Sequence, residues 1–579
     1  MPLTTRRGLR ALASGLLAVG LGLTALAPAA AAPRPDGPEV GTRLASSRQV
    51  TPGSGPLSVS VLVPIIVPPT VTGLIPVDDL ENYTGPFGTL TRQLDAVTGT
   101  ATTLAIDPMI LASIRVLGSS APESALAWLA RLETLPNATF TLAYADADLI
   151  SAARTDTLGA LRPSGFTAAL DPADFSPVET PAPSETPDPT PSPTPDPDQA
   201  PPFPTTDELL AWSSALPAIA WPANELVAGT DLAPLAAAGY ADVVVSSELV
   251  GSSSPLVALD GIQGIVSDAQ LSTTFRASVS ALSESDRAAA LLALDAALAA
   301  EVTAAPGRGV VLTLGRNWPN AMTGIVESLA HLQLSTSAQL VPLTDILATP
   351  PTAATLGEGT TDAEREQAFT SLAEDAAREL PFSSVLVDPA PLLDRRSLER
   401  IALYTIAWQS DETGWTEGVD AFHTRSAEIL ASVQIERGSD VVLLARNTDF
   451  RVAVSNTLPY AVSVRVRIIP QSPILRAQGE EELTVEPEST GSVRIPVEAV
   501  ANGDVIVQTT LHSPTGVPID SAYVRVTAQA EWEGIGTTLV VVLLVLVFGA
   551  GIVRIVVQRR RAREAGGDEH ADSTEAPRD

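Results

Sequence analysis

Cysteine and lysine are both missing from this chain, so all 35 of its basic residues are arginine. Without cysteine there can be no disulfide, thiol nucleophile, iron–sulfur cluster or cysteine-held zinc. Without lysine there is no Schiff-base or Ser-Lys chemistry. Histidine is scarce as well: the four are His331, His423, His512 and His570, too scattered to form the H-x-x-x-H pair that a metal-dependent deacetylase would need. No glycine pattern forms a phosphate loop, and no serine has a histidine partner at a suggestive spacing. Basic charge is in deficit, 35 residues against 67 acidic ones, giving a net charge of -32 that points away from nucleic acid as a partner. No cofactor is implied.

Long apolar runs occur only near the ends. Arg6, Arg7 and Arg10 precede an apolar run from Ala11 to Leu26 and small residues at Ala29 to Ala32, the three-part order of a secretory signal cleaved near Ala31. The Arg6-Arg7 pair leaves two export routes open, the general one and the twin-arginine one. Ile535 to Val553 carries no charge and is long enough to cross a hydrocarbon core. Trp532 marks its outer edge, and Arg554, Arg559, Arg560, Arg561 and Arg563 mark the inner one. This places the C-terminus in the cytosol and the bulk of the chain outside the cytoplasmic membrane.

Between these ends the rhythm changes twice. From Leu57 to Asp345 short apolar runs alternate with helical stretches, the pattern of an α/β domain with a buried, largely parallel sheet. Expected strands are Leu57 to Val67, Thr102 to Ile106, Thr139 to Ala143, Ala218 to Trp221, Asp242 to Val245 and Val310 to Leu314. Ser283, three residues before Asp286, predicts the start of a helix that stops at Pro306-Gly307. Residues 176–204 are rich in Pro, Thr and Asp and bury nothing; they form a loop within one domain or a boundary between two. Residues 361–436 read as helices bracing the barrel. From 437 to 530 strict alternation with turns at Asn502-Gly503 and Ser513 to Gly516 predicts an immunoglobulin-like β-sandwich. The expected division is a signal peptide (1–32), a flexible segment (33–56), an α/β barrel-like domain (57–360), a helical brace (361–436), a β-sandwich (437–530), a transmembrane helix with its flank (532–557) and a cytosolic tail (558–579).

This layout, with the segments VSNTLPYAVSVRVRI, LTVEPESTGSVRIPVEA and NGDVIVQTTL, resembles an uncharacterised family of single-pass envelope proteins of high-GC Gram-positive bacteria. Their genes commonly lie beside the lipid II flippase, and the resemblance implies that flippase as a partner. Through TTLAIDP, LAYADADL and the Trp221 to Val245 segment, the α/β region is also similar to the degenerate β/α barrel of polysaccharide deacetylases and certain glycoside hydrolases. Such a fold gathers any site at the C-terminal ends of its strands, but fold alone does not confer activity.

A glycosidase needs two carboxyl groups facing one cleft. Asp107, Asp146, Asp148, Asp171 and Glu248 all follow expected strands and are the catalytic candidates, although an acid in that position also caps a helix or turns the chain. Arg316, Asn317 and Trp318 follow the VVLTL strand and are the candidate ligand contacts, the indole offering a face to a pyranose ring. Two functions follow. One is a non-catalytic envelope protein that binds cell-wall glycan or a protein partner; the alternative is a metal-independent glycoside hydrolase acting on envelope polysaccharide.

Overall fold

The computed structural model describes residues 55–175, 203–214, 216–225, 227–316, 318–319, 322–529 and 533–564. The expected signal sequence, the Pro-rich excursion up to residue 202, Asn317, Trp532 and the tail from Ala565 lie outside them.

The first strand, β1 (Leu57–Ile65), is buried along nearly its whole length, as a central strand covered on both faces must be. It is followed by β2 (Thr103–Ile106), β3 (Thr139–Thr141), β4 (Ile219–Ala220), β5 (Asp242–Ser246), β6 (Leu256–Leu259), β7 (Ile262–Ser267) and β8 (Gly309–Thr313). All but β6 run parallel in the order β4-β5-β7-β8-β1-β2-β3, so the chain winds round until β8 lies beside β1. The hairpin strand β6 turns back on β7 through Asp260-Gly261, with Gly261 at φ 81°. Two short strands, β9 (Ala338–Leu340) and β10 (Thr352–Ala353), add to β1 and β6.

No ladder joins β3 to β4 among the described residues, so the barrel has a seam. Leu216 N donates to Thr139 O at 3.2 Å and Trp212 Nε1 to Thr139 Oγ1 at 3.1 Å across it. Inside, each of the seven parallel strands contributes a residue to one core: Leu62, Ala105, Phe140, Ile219, Val244, Ile265 and Val311. Their neighbours, among them Val61, Val63, Leu104, Val243 and Leu312, face the outer helices in a second core. Alternation along a strand sorts the two sets.

The helices Ala363–Phe382, Ala390–Leu403 and Glu412–Leu430 divide their apolar residues between two neighbours. Phe369, Leu372, Leu398, Ile401, Tyr404 and Phe422 join the barrel's outer core, while Phe382, Leu392 and Ile429 join the core of the β-sandwich. The sandwich pairs a four-stranded sheet, in the order Val433–Ile435, Asn447–Asn456, Ser489–Ala499, Leu475–Ala477, with a five-stranded sheet, in the order Val441–Leu443, Pro518–Ala528, Gly503–His512, Val462–Pro470, Glu480–Val485. In the helix Glu533–Glu564, the segment Thr538–Arg561 is long and apolar enough to cross a membrane, with mean hydropathy 3.0 and none of that window buried. The architecture is thus a barrel-like α/β domain, a helical region, a β-sandwich and one C-terminal apolar helix, as the periodicity of the sequence requires.

Candidate functional site

The strand ends bring several of the expected residues together. Asp107 follows β2 and caps the helix Pro108–Arg115; its Oδ1 accepts from Met109 N at 2.9 Å and from Ala145 N at 2.8 Å. The second bond ties the end of β2 to the turn after β3, where Ala145 and Asp146 are both left-handed, at φ 56° and 46°. Only 2% exposed, the Asp107 carboxyl is pushed up to about 8: burial raises it most, the Met109 amide opposes, and the Asp146 charge raises it further.

Asp146 forms a two-pronged pair with Arg316 from the end of β8: Nε to Oδ2 at 3.1 Å and Nη2 to Oδ1 at 3.0 Å. Arg316 also donates to the carbonyls of Trp221, at 2.6 Å, and Pro222, at 3.2 Å, and its guanidinium lies 4.6 Å from the Trp221 ring centroid. Such a planar fork is what arginine provides and lysine does not. Burial still lifts the Asp146 carboxyl above the ordinary range, with Arg316 pulling against it. Trp318 is anchored from its own edge, Nε1 donating to Pro64 O at the end of β1 at 2.7 Å.

Two other candidates, Asp148 and Asp171, are placed apart. Asp148 caps the helix Leu149–Arg154, accepting from Ile150 N, Ser151 N and Ser151 Oγ, and lines a different cavity with Arg154 and Thr360. Asp171 is exposed and accepts from Ala173 N in a short turn. Glu248 stands after β5, in the short helix capped by Ser246.

Two adjoining cavities open at this end of the barrel. The first, about 530 Å³, is lined by Gln93, Trp221, Glu225, Arg276, Arg316 and Trp318, among others. The second, about 640 Å³, includes Glu248 and shares Glu225, Arg276, Gly315 and Arg316 with the first. Glu225, Arg276 and Gln93 are absent from the sequence-derived candidates. Glu225 is 8% exposed at φ 60° and makes no ion pair among the described residues; it follows Trp221-Pro222 in a turn that no motif marks. Arg276 projects from the helix Ala269–Ser280 and, among the described residues, bonds only neutral oxygens of Thr313 and Thr273. Gln93 is 1% exposed, its Nε2 donating to Ile66 O while Oε1 has no partner among the described residues.

A second polar cluster was equally hidden. His423 Nδ1 lies 2.5 Å from Asp375 Oδ2, and its Nε2 lies 3.3 Å from Ser371 Oγ, the order of a nucleophile, base and acid. Ser371 sits in mid-helix, however, and donates back to Ala368 O at 2.9 Å. Helical N–H groups around it are engaged with their own carbonyls and offer no oxyanion donors. The cluster clamps the helix Ala363–Phe382 to Glu412–Leu430. Among the described residues no group of three or more His, Asp or Glu is placed to hold a metal.

No curated protein matches this sequence. Among solved structures, the α-amylase AmyC of Thermotoga maritima is similar at 9% identity, covering 64% of this chain and 97% of that one with a TM-score of 0.35. The CARDB domain of a Pyrococcus furiosus protein in complex with di-metal ions covers 17% of this chain and 93% of its own, at 19% identity and a TM-score of 0.14. A native alpha-2-macroglobulin fragment from Escherichia coli is similar at 15% identity and a TM-score of 0.14 over 17% of this chain, which spans only 16% of that structure. The model of a family of unknown function, DUF6049, matches residues 15–573, and the chain belongs to that family.

Proposed function

We propose that this protein is a membrane-anchored extracytoplasmic accessory of the cell envelope, in which the barrel binds a glycan or a protein of cell-wall assembly without cleaving it. The observation that carries the reading is the Asp146–Arg316 fork in the mouth of the barrel. It holds the Asp146 carboxylate in an ion pair, outside the lining of either cavity, beside a cleft whose wall includes Trp318 and Arg276, a pair suited to stacking on a ring and bonding its hydroxyls. Asp107 and Asp148 are engaged as helix caps, and Asp171 faces solvent away from the cleft.

The same reading takes residues 1–32 as a cleaved signal, 57–360 as the barrel, 361–436 as the brace and 437–530 as a spacer that lifts the barrel from the membrane. It sets the N-terminus outside and the arginine-flanked C-terminus in the cytosol, in the envelope of a high-GC Gram-positive cell, with the lipid II flippase as a candidate partner. Co-sedimentation of the full-length protein with purified envelope polysaccharide tests the glycan branch, with Trp318→Ala expected to weaken binding at least tenfold. Crosslinked capture from native membranes, read by mass spectrometry, tests the partner branch. If neither polysaccharide nor any wall-synthesis protein is retained, the accessory role is wrong.

One observation favours the alternative of a glycoside hydrolase: Glu225 and Glu248 line the same cavity, and neither is ion-paired among the described residues. Release of reducing ends from envelope polysaccharide, abolished by Glu225→Gln or Glu248→Gln, would establish that reading instead.

A further inference from the structure

The β-sandwich has two unlike ends. At one, it is covered by the helical region: Leu386 pairs with Val462 and Val387 N donates to Ala461 O. At the other, the strand Pro518–Ala528 runs out toward the apolar helix. There Leu443 is in register with Ala528, Gly503 also pairs with Ala528, and Gln529 N donates to Leu443 O at 2.8 Å. The turns at 444–446, 471–474 and 500–502 gather at the same end, linked by Ala499 N to Arg446 O and Val500 N to Ile474 O, both 2.7 Å.

Only residues 530–532 separate Gln529 from the helix Glu533–Glu564, a reach of at most about 14 Å at ~3.5 Å per residue. The apolar segment starts at Thr538, about 8 Å further along the helix at 1.5 Å per residue. The headgroup layer itself occupies about 5–8 Å per leaflet. This end of the sandwich therefore lies within a short tether of the lipid surface. It also exposes apolar side chains: Val442 is 55% exposed and Leu444 66%, on an edge strand and the turn after it, with Ile469 and Ile506 on two other strands of the same sheet. Of the acids near this end, Glu498 is paired with Arg446, while Asp504 accepts from Thr527 Oγ1 and keeps its charge.

We propose that this end of the sandwich rests on the membrane, with Leu444 and Val442 seated among the lipid headgroups. Docking of this kind fixes the height and tilt of the barrel above the bilayer. It rests on the membrane-anchor reading, and the two fail separately. Because the chain has no cysteine, single-cysteine variants of the full-length protein can be labelled cleanly. Leu444→Cys and Val442→Cys carry a polarity-sensitive dye, with Thr515→Cys in the turn at the opposite end as control, in phosphatidylcholine–phosphatidylglycerol vesicles. Dye at 444 and 442 is expected to shift to the blue and to be quenched by headgroup-proximal spin-labelled lipid at least twofold more than dye at 515. Equal, negligible lipid quenching at all three positions in protein that floats with the vesicles overturns the docking. A blue shift at 444 without lipid quenching also overturns it, in favour of a protein cover. Failure to float overturns the anchor itself.

Discussion

At the scale of single residues, the site is governed by where burial places charge. Asp107 has a folded value near 8, well above that of an unfolded aspartate, so the folded state holds its proton more tightly than the unfolded one. Its stabilising contribution is complete below about pH 4 and is lost as pH rises toward 8, by up to about 1.4 kcal/mol per pH unit. Asp107→Asn keeps an acceptor for the Met109 and Ala145 amides and removes the proton. The variant is expected to lose stability less steeply between pH 5 and 8 than the wild type, as measured by urea unfolding at several pH values; parallel slopes would mean that Asp107 ionises normally. Arg316→Met strands the Asp146 carboxylate in the barrel mouth and is expected to cost about 3–5 kcal/mol in the same assay. Pairing it with Asp146→Leu should recover most of that loss. Of these residues, Arg316 and Asp146 stood out in the sequence because they follow strands, but their partnership did not: 170 positions separate them.

At the scale of elements, one coupling runs through Tyr404, fully buried, stacked on Phe369 with ring centroids 3.9 Å apart and donating its hydroxyl to Phe369 O at 3.0 Å. Its own backbone carbonyl accepts from Asp148 N at 2.8 Å, joining the helical region to the turn after β3. Tyr404→Ala removes a large buried ring and is expected to cost about 3–5 kcal/mol. Hydrogen exchange should quicken in both the helix Ala363–Phe382 and the segment around Asp148; a change confined to one side would show that the two are not coupled. Local signals made some elements readable. Ser283 does accept from Asp286 N at 3.1 Å at the head of the helix Glu284–Ala304, as the spacing predicts. The hairpin of β6 and β7 went unread, although Asp260-Gly261 advertised its turn, because both strands are short and their apolar residues are shared between two cores.

At the scale of the whole molecule, three helices carry one core on each side, so barrel and sandwich are linked by packing rather than by a flexible tether. Ending the chain after Gln529 removes the apolar helix and leaves both cores intact. The shortened protein is expected to unfold like the full chain and to stay in the supernatant when vesicles are sedimented. Retention of most of it on vesicles would show that the helix Glu533–Glu564 is not the anchor.

The order of secondary structure, the alternation that makes a sandwich and the charge-free run near the C-terminus were decided by the sequence alone. Each depends on spacing between near neighbours along the chain, or on the length of one uninterrupted segment. What only the tertiary structure decided is the chemistry of the barrel mouth. The Asp146–Arg316 fork, Glu225 and Arg276 at the cavities without an ion pair among the described residues, and the Ser371–His423–Asp375 clamp bring together residues from elements far apart in the chain. Whether a carboxylate is a cap, an ion-pair partner or free to meet a ligand depends on burial and on which donors reach it in space, and no local pattern encodes either.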